Sequence, residues 1–168
     1  MSWKTLVIIT ALGLIITRAT RKKGTMLSKN FSLDEFLKSN TAKKLNIVNQ
    51  PSALEVARLQ ALVNNVLQPL RDAMGYPINI TSGYRSPALN TAIGGAVNSQ
   101  HMKGEAADFV GSNNAQMFNY IKDNLPFDQL IWEAGNNTNP DWIHVSYKGI
   151  GNRKQVLRYM PGQGYSQF

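Results

Sequence analysis

Cysteine is absent from all 168 residues. That removes disulfide scaffolds, cysteine-based zinc fingers, iron–sulfur clusters and thiol nucleophiles. It leaves the compartment open, because a cysteine-free chain tolerates an oxidising exterior and a reducing cytosol alike. Histidine is scarce, with two residues, and acids are outnumbered by bases, 10 against 18. Glycine (13) and proline (7) are at ordinary usage, which excludes collagen-like and low-complexity chains. No apolar run reaches the roughly 20 residues that a bilayer core requires. There is no internal repeat and no heptad pattern. The length suits one domain around a single core.

The formal charge of +8 is uneven. Residues 1–23 hold Lys4, Arg18, Arg21, Lys22 and Lys23 and no acid, so the remaining 145 residues carry only +3. Such a mildly basic body suits an ordinary surface or an anionic wall polymer. It lacks the interleaved basic and aromatic stripe of a nucleic-acid binder, so no nucleic-acid partner is expected. In the leader, Leu6 to Ile16 is an apolar run of about a dozen residues, the length of a signal peptide's apolar region rather than of a membrane span. Thr17-Arg18-Ala19-Thr20 is a poor cleavage site, and the basic cluster beyond it opposes simple translocation. Three readings stay open: a weak export signal or releasable anchor, an interfacial membrane helix, and a folded buried helix. The first two put the body, 24–168, at a membrane or beyond it.

In the body, Ser32-Leu33-Asp34-Glu35 and Ser52-Ala53-Leu54-Glu55 are capping boxes. The first opens a short helix through Leu37. The second opens a longer one carrying Val56, Leu59, Leu62, Val63, Val66, Leu67 and Leu70 at helical spacing, with Pro69 disturbing its last turn and Gly75 and Pro77 ending it. Strands are predicted at 78–81, 105–110, 130–133, 142–147 and 155–160. Helices are predicted from Ser86-Pro87 to about Ile93, and over 113–124. Helices first and short strands later, without a βαβ rhythm, give an α+β class, with a small and mostly antiparallel sheet against helices. The tail from Pro161 to Phe168 reads as irregular.

The two histidines stand in informative places. His101 lies seven residues before Asp108, with Gly104 allowing a tight turn between them. Asp108 sits between Ala107 and Phe109 in an apolar strand, where a carboxylate is costly unless something positive meets it. His144 is likewise set in an apolar strand. Two imidazoles and one buried carboxylate match a zinc site with three protein ligands and an open fourth position. Nitrogen and oxygen donors without sulfur suit a catalytic rather than a structural zinc.

The run Ser99-x-His101-x-x-Gly104-x-Ala106-x-Asp108 resembles the signature of the D-Ala-D-Ala-carboxypeptidase-like zinc metallopeptidases, a family that includes bacterial wall-peptide hydrolases and phage endolysins and shares its fold with the hedgehog signalling domain. Ser82-Gly83-Tyr84-Arg85-Ser86 upstream and Trp142-Ile143-His144-Val145-Ser146 downstream match in the right order, so the resemblance covers about residues 30–160. It implies that His101, Asp108 and His144 hold Zn2+ and that Arg85 faces a substrate carbonyl or carboxylate. It also implies that Ser99 orients the His101 loop, and that Tyr84 and Ser86 are structural. The implied activity is hydrolysis of peptidoglycan stem peptides by a bacterial or phage-encoded enzyme; together with the leader this gives an exported or membrane-associated protein, expected as a monomer. A metal-binding wall-interaction module without catalysis is the alternative.

Hydrolysis needs a general base, an Asp or Glu in the family. Asp141 stands three before His144, and Glu133 ends the preceding strand. Residues three apart in a strand point to opposite faces, so Asp141 reaches the metal only if the chain bends after Pro140. Glu133 faces the metal if its strand pairs beside that of His144, and it is the favoured base. Where some members carry a second histidine, this chain has Trp142. Glu105 falls on the strand face opposite Asp108 and is expected in solvent. Trp132, Trp142, Tyr147 and Tyr159 flank the region as core residues or as a groove wall. Loop 134–140 reads as a substrate rim or a plain connection.

Overall fold

The computed structural model describes residues 24–168 and, for the backbone alone, 7–10 and 13–16. Within the apolar leader, β1 (Val7–Thr10) and β2 (Gly13–Ile16) pair as antiparallel strands. The helical readings of the leader therefore do not hold for these two pieces, which are rich in β-branched residues that prefer strands. The leader's basic flanks and the stretch Thr17-Arg18-Ala19-Thr20, read as a poor cleavage site, lie outside the described residues. Among the described residues, no helix is long and apolar enough to cross a membrane.

The body is α+β. Helix α1 (Leu33–Leu37) starts as expected, with the Ser32 N–H donating to Glu35 Oε1 at 2.9 Å. After α2 (Asn40–Leu45), the second capping box opens α3 (Ala53–Leu62), where the Ser52 N–H donates to Glu55 Oε2 at 2.7 Å. The helix then widens into a π turn over Val63–Leu67 and resumes as α4 (Gln68–Met74). Pro69 accounts for the widening: it has no N–H to donate, and its ring crowds the preceding turn. Gly75, at φ +73°, caps α4.

Strand β3 (Asn79–Ser82) leads to α5 (Pro87–Ala92), a 3-10 turn over Gln100–Lys103, β4 (Ala106–Val110) and α6 (Asn114–Asn124). Then come β5 (Gln129–Glu133), β6 (Trp142–Ser146), β7 (Gln155–Met160) and β8 (Gly164–Gln167). The last of these corrects the sequence reading, in which 161–168 was irregular. A turn through Pro161 and Gly162 (φ +79°), closed by the Gln163 N–H donating to the Met160 carbonyl at 3.0 Å, folds the tail back antiparallel onto β7.

The six strands lie in the order β3-β4-β6-β5-β7-β8, all neighbours antiparallel except β5 with β7. Register and the two-residue pleat give the sheet two unlike faces. Ala107, Phe109, Ile143, Val145, Leu130 and Trp132 join Leu59, Leu62, Val66, Phe118 and Ile121 in the buried core. The Trp132 ring meets Phe118 edge-on at 5.2 Å, so it belongs to the core and not to a groove. The opposite face carries a row in which Ser82 is paired with Asp108, Asp108 with His144, and His144 with Ile131. A parallel row on that face runs through Trp142, Glu133, Tyr159 and Tyr165.

Candidate metal centre

Asp108 and His144 are directly paired across β4 and β6, which brings their side chains together on the open face. His101 arrives from the 3-10 turn. Gly104 ends that turn at φ +69°, and a Cβ there would run into the Glu55 backbone, so only glycine fits. All three side chains are buried. His144 Nδ1 lies 2.8 Å from Asp108 Oδ1, His101 Nε2 lies 3.3 Å from the same oxygen, and the two imidazole nitrogens are 3.3 Å apart.

These separations suit one ion. Two ligands bound at zinc's usual length in a tetrahedron stand about 3.3 Å apart. The histidine tautomer agrees. His101 Nδ1 donates to the Gly83 carbonyl at 2.7 Å, which leaves the Nε2 lone pair facing the cluster. The residues therefore fit the zinc that their donor chemistry implies. Burial works against the Asp108 charge, but His101 and His144 beside it hold its carboxyl well below the usual carboxylate range.

Arg85 is the positive partner that a buried Asp108 requires. Its Nη2 donates to Asp108 Oδ2 at 2.8 Å and its Nε to Ser82 Oγ at 3.0 Å. Asp108 thus offers one oxygen to the metal position and the other to a guanidinium. Ser86 N-caps α5 through its hydroxyl, and Tyr84 is buried, both in structural roles. Ser99 differs from expectation. It makes no side-chain cap bond to the turn and accepts from Met102 through its carbonyl, while the Gly83 carbonyl orients His101.

The cluster opens into a cavity of about 600 Å³. Glu133 lines it and is buried, on the strand that pairs beside that of His144. Burial, the largest influence, pushes its pKa up to about 7; the Asp108 charge adds to the rise, and His144 and Arg85 oppose it. Directly after it, Ala134 takes a left-handed conformation (φ +53°) and turns the chain out of the strand. Asp141 is exposed, does not line the cavity, and gives its N–H to the Glu133 carbonyl. Glu105 is not in solvent: it is buried, lines the cavity and faces Arg58 at 3.6 Å. It stands just ahead of β4, where the face alternation of a regular strand does not yet apply. Loop 134–140 contributes nothing to the lining and is tied to α6, with Asn114 donating to the Pro140 carbonyl at 3.0 Å.

Sequence reasoning passed over Asp128, Lys148, Arg153 and Tyr165, all of which line the cavity. Asp128 had a signal, a carboxylate directly after Phe127 at the start of an apolar strand. Tyr165 had none, because its place depends on the pairing of β8.

The family model described as peptidase M15 matches residues 29–146. The chain belongs to the peptidase M15 family. It is also similar to the zinc D-Ala-D-Ala carboxypeptidase of Streptomyces albus G, 52% identical over 54 residues that make up 31% of this chain and 21% of the relative. The chain thus spans about a fifth of the length of that curated relative. The family match takes in every proposed metal ligand together with Arg85, Glu133 and Asp141. It stops short of Lys148, Arg153 and Tyr165, so one side of the cavity is built from sequence beyond the matched stretch.

Proposed function

We propose that the protein is a zinc-dependent peptidase that hydrolyses peptide bonds in the stem peptides of bacterial peptidoglycan. The observation that carries this reading is one cavity in which three mutually close metal donors face a buried carboxylate, Glu133, and the guanidinium of Arg85. Held by His101, Asp108 and His144, zinc would supply a Lewis acid for the scissile carbonyl and for the attacking water. Glu133 takes the proton that the water loses as its oxygen bonds to the carbonyl carbon. It returns that proton to the nitrogen as the C–N bond breaks. A buried carboxyl can do both, and it accepts only when ionised, so activity rises with pH through its titration. Asp141, exposed and outside the cavity lining, is set aside as the base. Arg85, already anchored on Asp108 and Ser82, turns its remaining donors to a substrate carboxylate or to the charge that develops on the carbonyl oxygen.

Such a substrate places the protein's work at the cell wall, with the basic-flanked leader serving export or attachment. The relative's name makes a D-Ala-D-Ala end the first bond to try. Zinc-loaded protein is incubated with purified peptidoglycan, and new amino termini and product masses are measured. Release of free D-alanine marks a carboxypeptidase, and release of larger fragments marks an endopeptidase. Absence of new termini, with zinc bound, overturns the reading in favour of a metal-binding module.

A further inference from the structure

Asp128 stands one residue before β5 and is fully buried, yet it is not part of the metal cluster. Its carboxylate is saturated with donors. Oδ1 accepts from Lys148 Nζ at 2.9 Å and from the Arg153 N–H and Nε at 3.0 Å. Oδ2 accepts from Gln100 Nε2 at 3.1 Å and from Arg153 Nη2. One negative charge thus holds two positive ones. Both cations line the cavity, with side chains 33% and 51% exposed, and Arg153 Nη1 has no hydrogen bond among the described residues. Lys103 lines the cavity as well, and the one other acid at this end, Glu105, has Arg58 for a partner. The cavity is therefore polarised. Glu133 and Tyr165 line it beyond the metal row on one side, and a surplus of positive charge lines it on the other.

Strand spacing sets the distance. Ile131 is level with His144, so Asp128, three residues earlier, stands about 10 Å along the strand from the metal row. That is about three residues of extended peptide, too far for the terminal carboxylate of a single departing amino acid. Resting on the peptidase reading above, we propose that Lys148 and Arg153 form a subsite for a carboxylate carried by the substrate peptide two to three residues from the scissile bond, with Asp128 as the residue that positions them. Both cations follow residue 146, where the family match ends.

The test uses pairs of synthetic stem peptides that differ only in having one carboxylate replaced by its carboxamide. With zinc-loaded wild type, kcat/KM favours the acid about tenfold at one position, as a charge-assisted contact would give. Lys148→Met lowers the acid-to-amide ratio severalfold, while Arg153 still covers Asp128. A wild-type ratio of one, or an equal loss on both peptides in the variant, would mean that the cations only pin their loop, and the proposal falls. A second arm measures equilibrium binding of the same pairs to zinc-loaded Glu133→Gln. There the acid binds more tightly, and the preference shrinks as salt is raised. If neither peptide is cleaved by wild type, the peptidase reading fails, and the binding ratio alone decides the subsite: a ratio of one overturns it.

Discussion

On one face of the sheet Ala107, Phe109, Val145, Leu130 and Trp132 meet the helices; on the other, one residue away in the same strands, stand Asp108, His144 and Glu133. In β4 both faces are buried, but the partners differ: side chains of the core on one, cavity and ion pairs on the other. The apolar face supplies the cohesion that tolerates two buried aspartates on the polar side. The lesson is that neighbouring residues in one strand should fail in different ways, one losing the fold and the next losing only the chemistry.

The largest effect expected is on the polar face. His144→Ala should lower kcat/KM on the order of 10^4-fold or more, because carbonyl polarisation and water activation vanish together, while the circular dichroism spectrum stays that of wild type. A variant that unfolds instead would show that the two faces are not separable. One residue over on the partner strand, Phe109→Ala should cost about 3–5 kcal/mol in urea denaturation, yet the folded fraction should still bind zinc. Glu133→Gln should reduce turnover about 10^3-fold with zinc content unchanged, which separates the proton carrier from the metal ligands.

The pattern that divides the faces was largely legible in the sequence. Capping boxes, the Gly75 stop and the alternation around Asp108 and His144 are local signals, and each led to the observed element. Of the proposed metal ligands, Asp108 and His144 were legible because each is a polar residue in an apolar run, which demands a partner; His101 was legible from its spacing to Asp108 and the Gly104 turn between them. The π turn was half visible: Pro69 announced a disturbance but not its form, which depends on how α3 and α4 pack. Strand β8 was missed although Pro161-Gly162 is a turn signal, since Gly164-Tyr165-Ser166-Gln167 has no apolar alternation and is held by its pairing to β7. Asp128 was missed because its cations arrive from a loop 20 to 25 residues later, a contact that no local pattern encodes.

The smallest effect concerns pH. Glu133 titrates higher in the folded protein (about 7) than in the unfolded chain (about 4.5), so its protonated form favours folding. That contribution is complete below pH 4.5 and is lost as pH rises through 7. Metal-free wild type should therefore lose on the order of 2–3 kcal/mol relative to metal-free Glu133→Gln between pH 4.5 and 7.5, read from urea midpoints at each pH. Parallel curves for the two proteins would place Glu133 in water rather than in the cavity.

Titration of zinc into the metal-free full chain bears most directly on the meeting of His101, Asp108 and His144 at one ion. Wild type should take up one equivalent, and His101→Ala and Asp108→Ala should each abolish that uptake without loss of helix or strand signal. One equivalent bound by either variant with wild-type affinity would contradict the assignment.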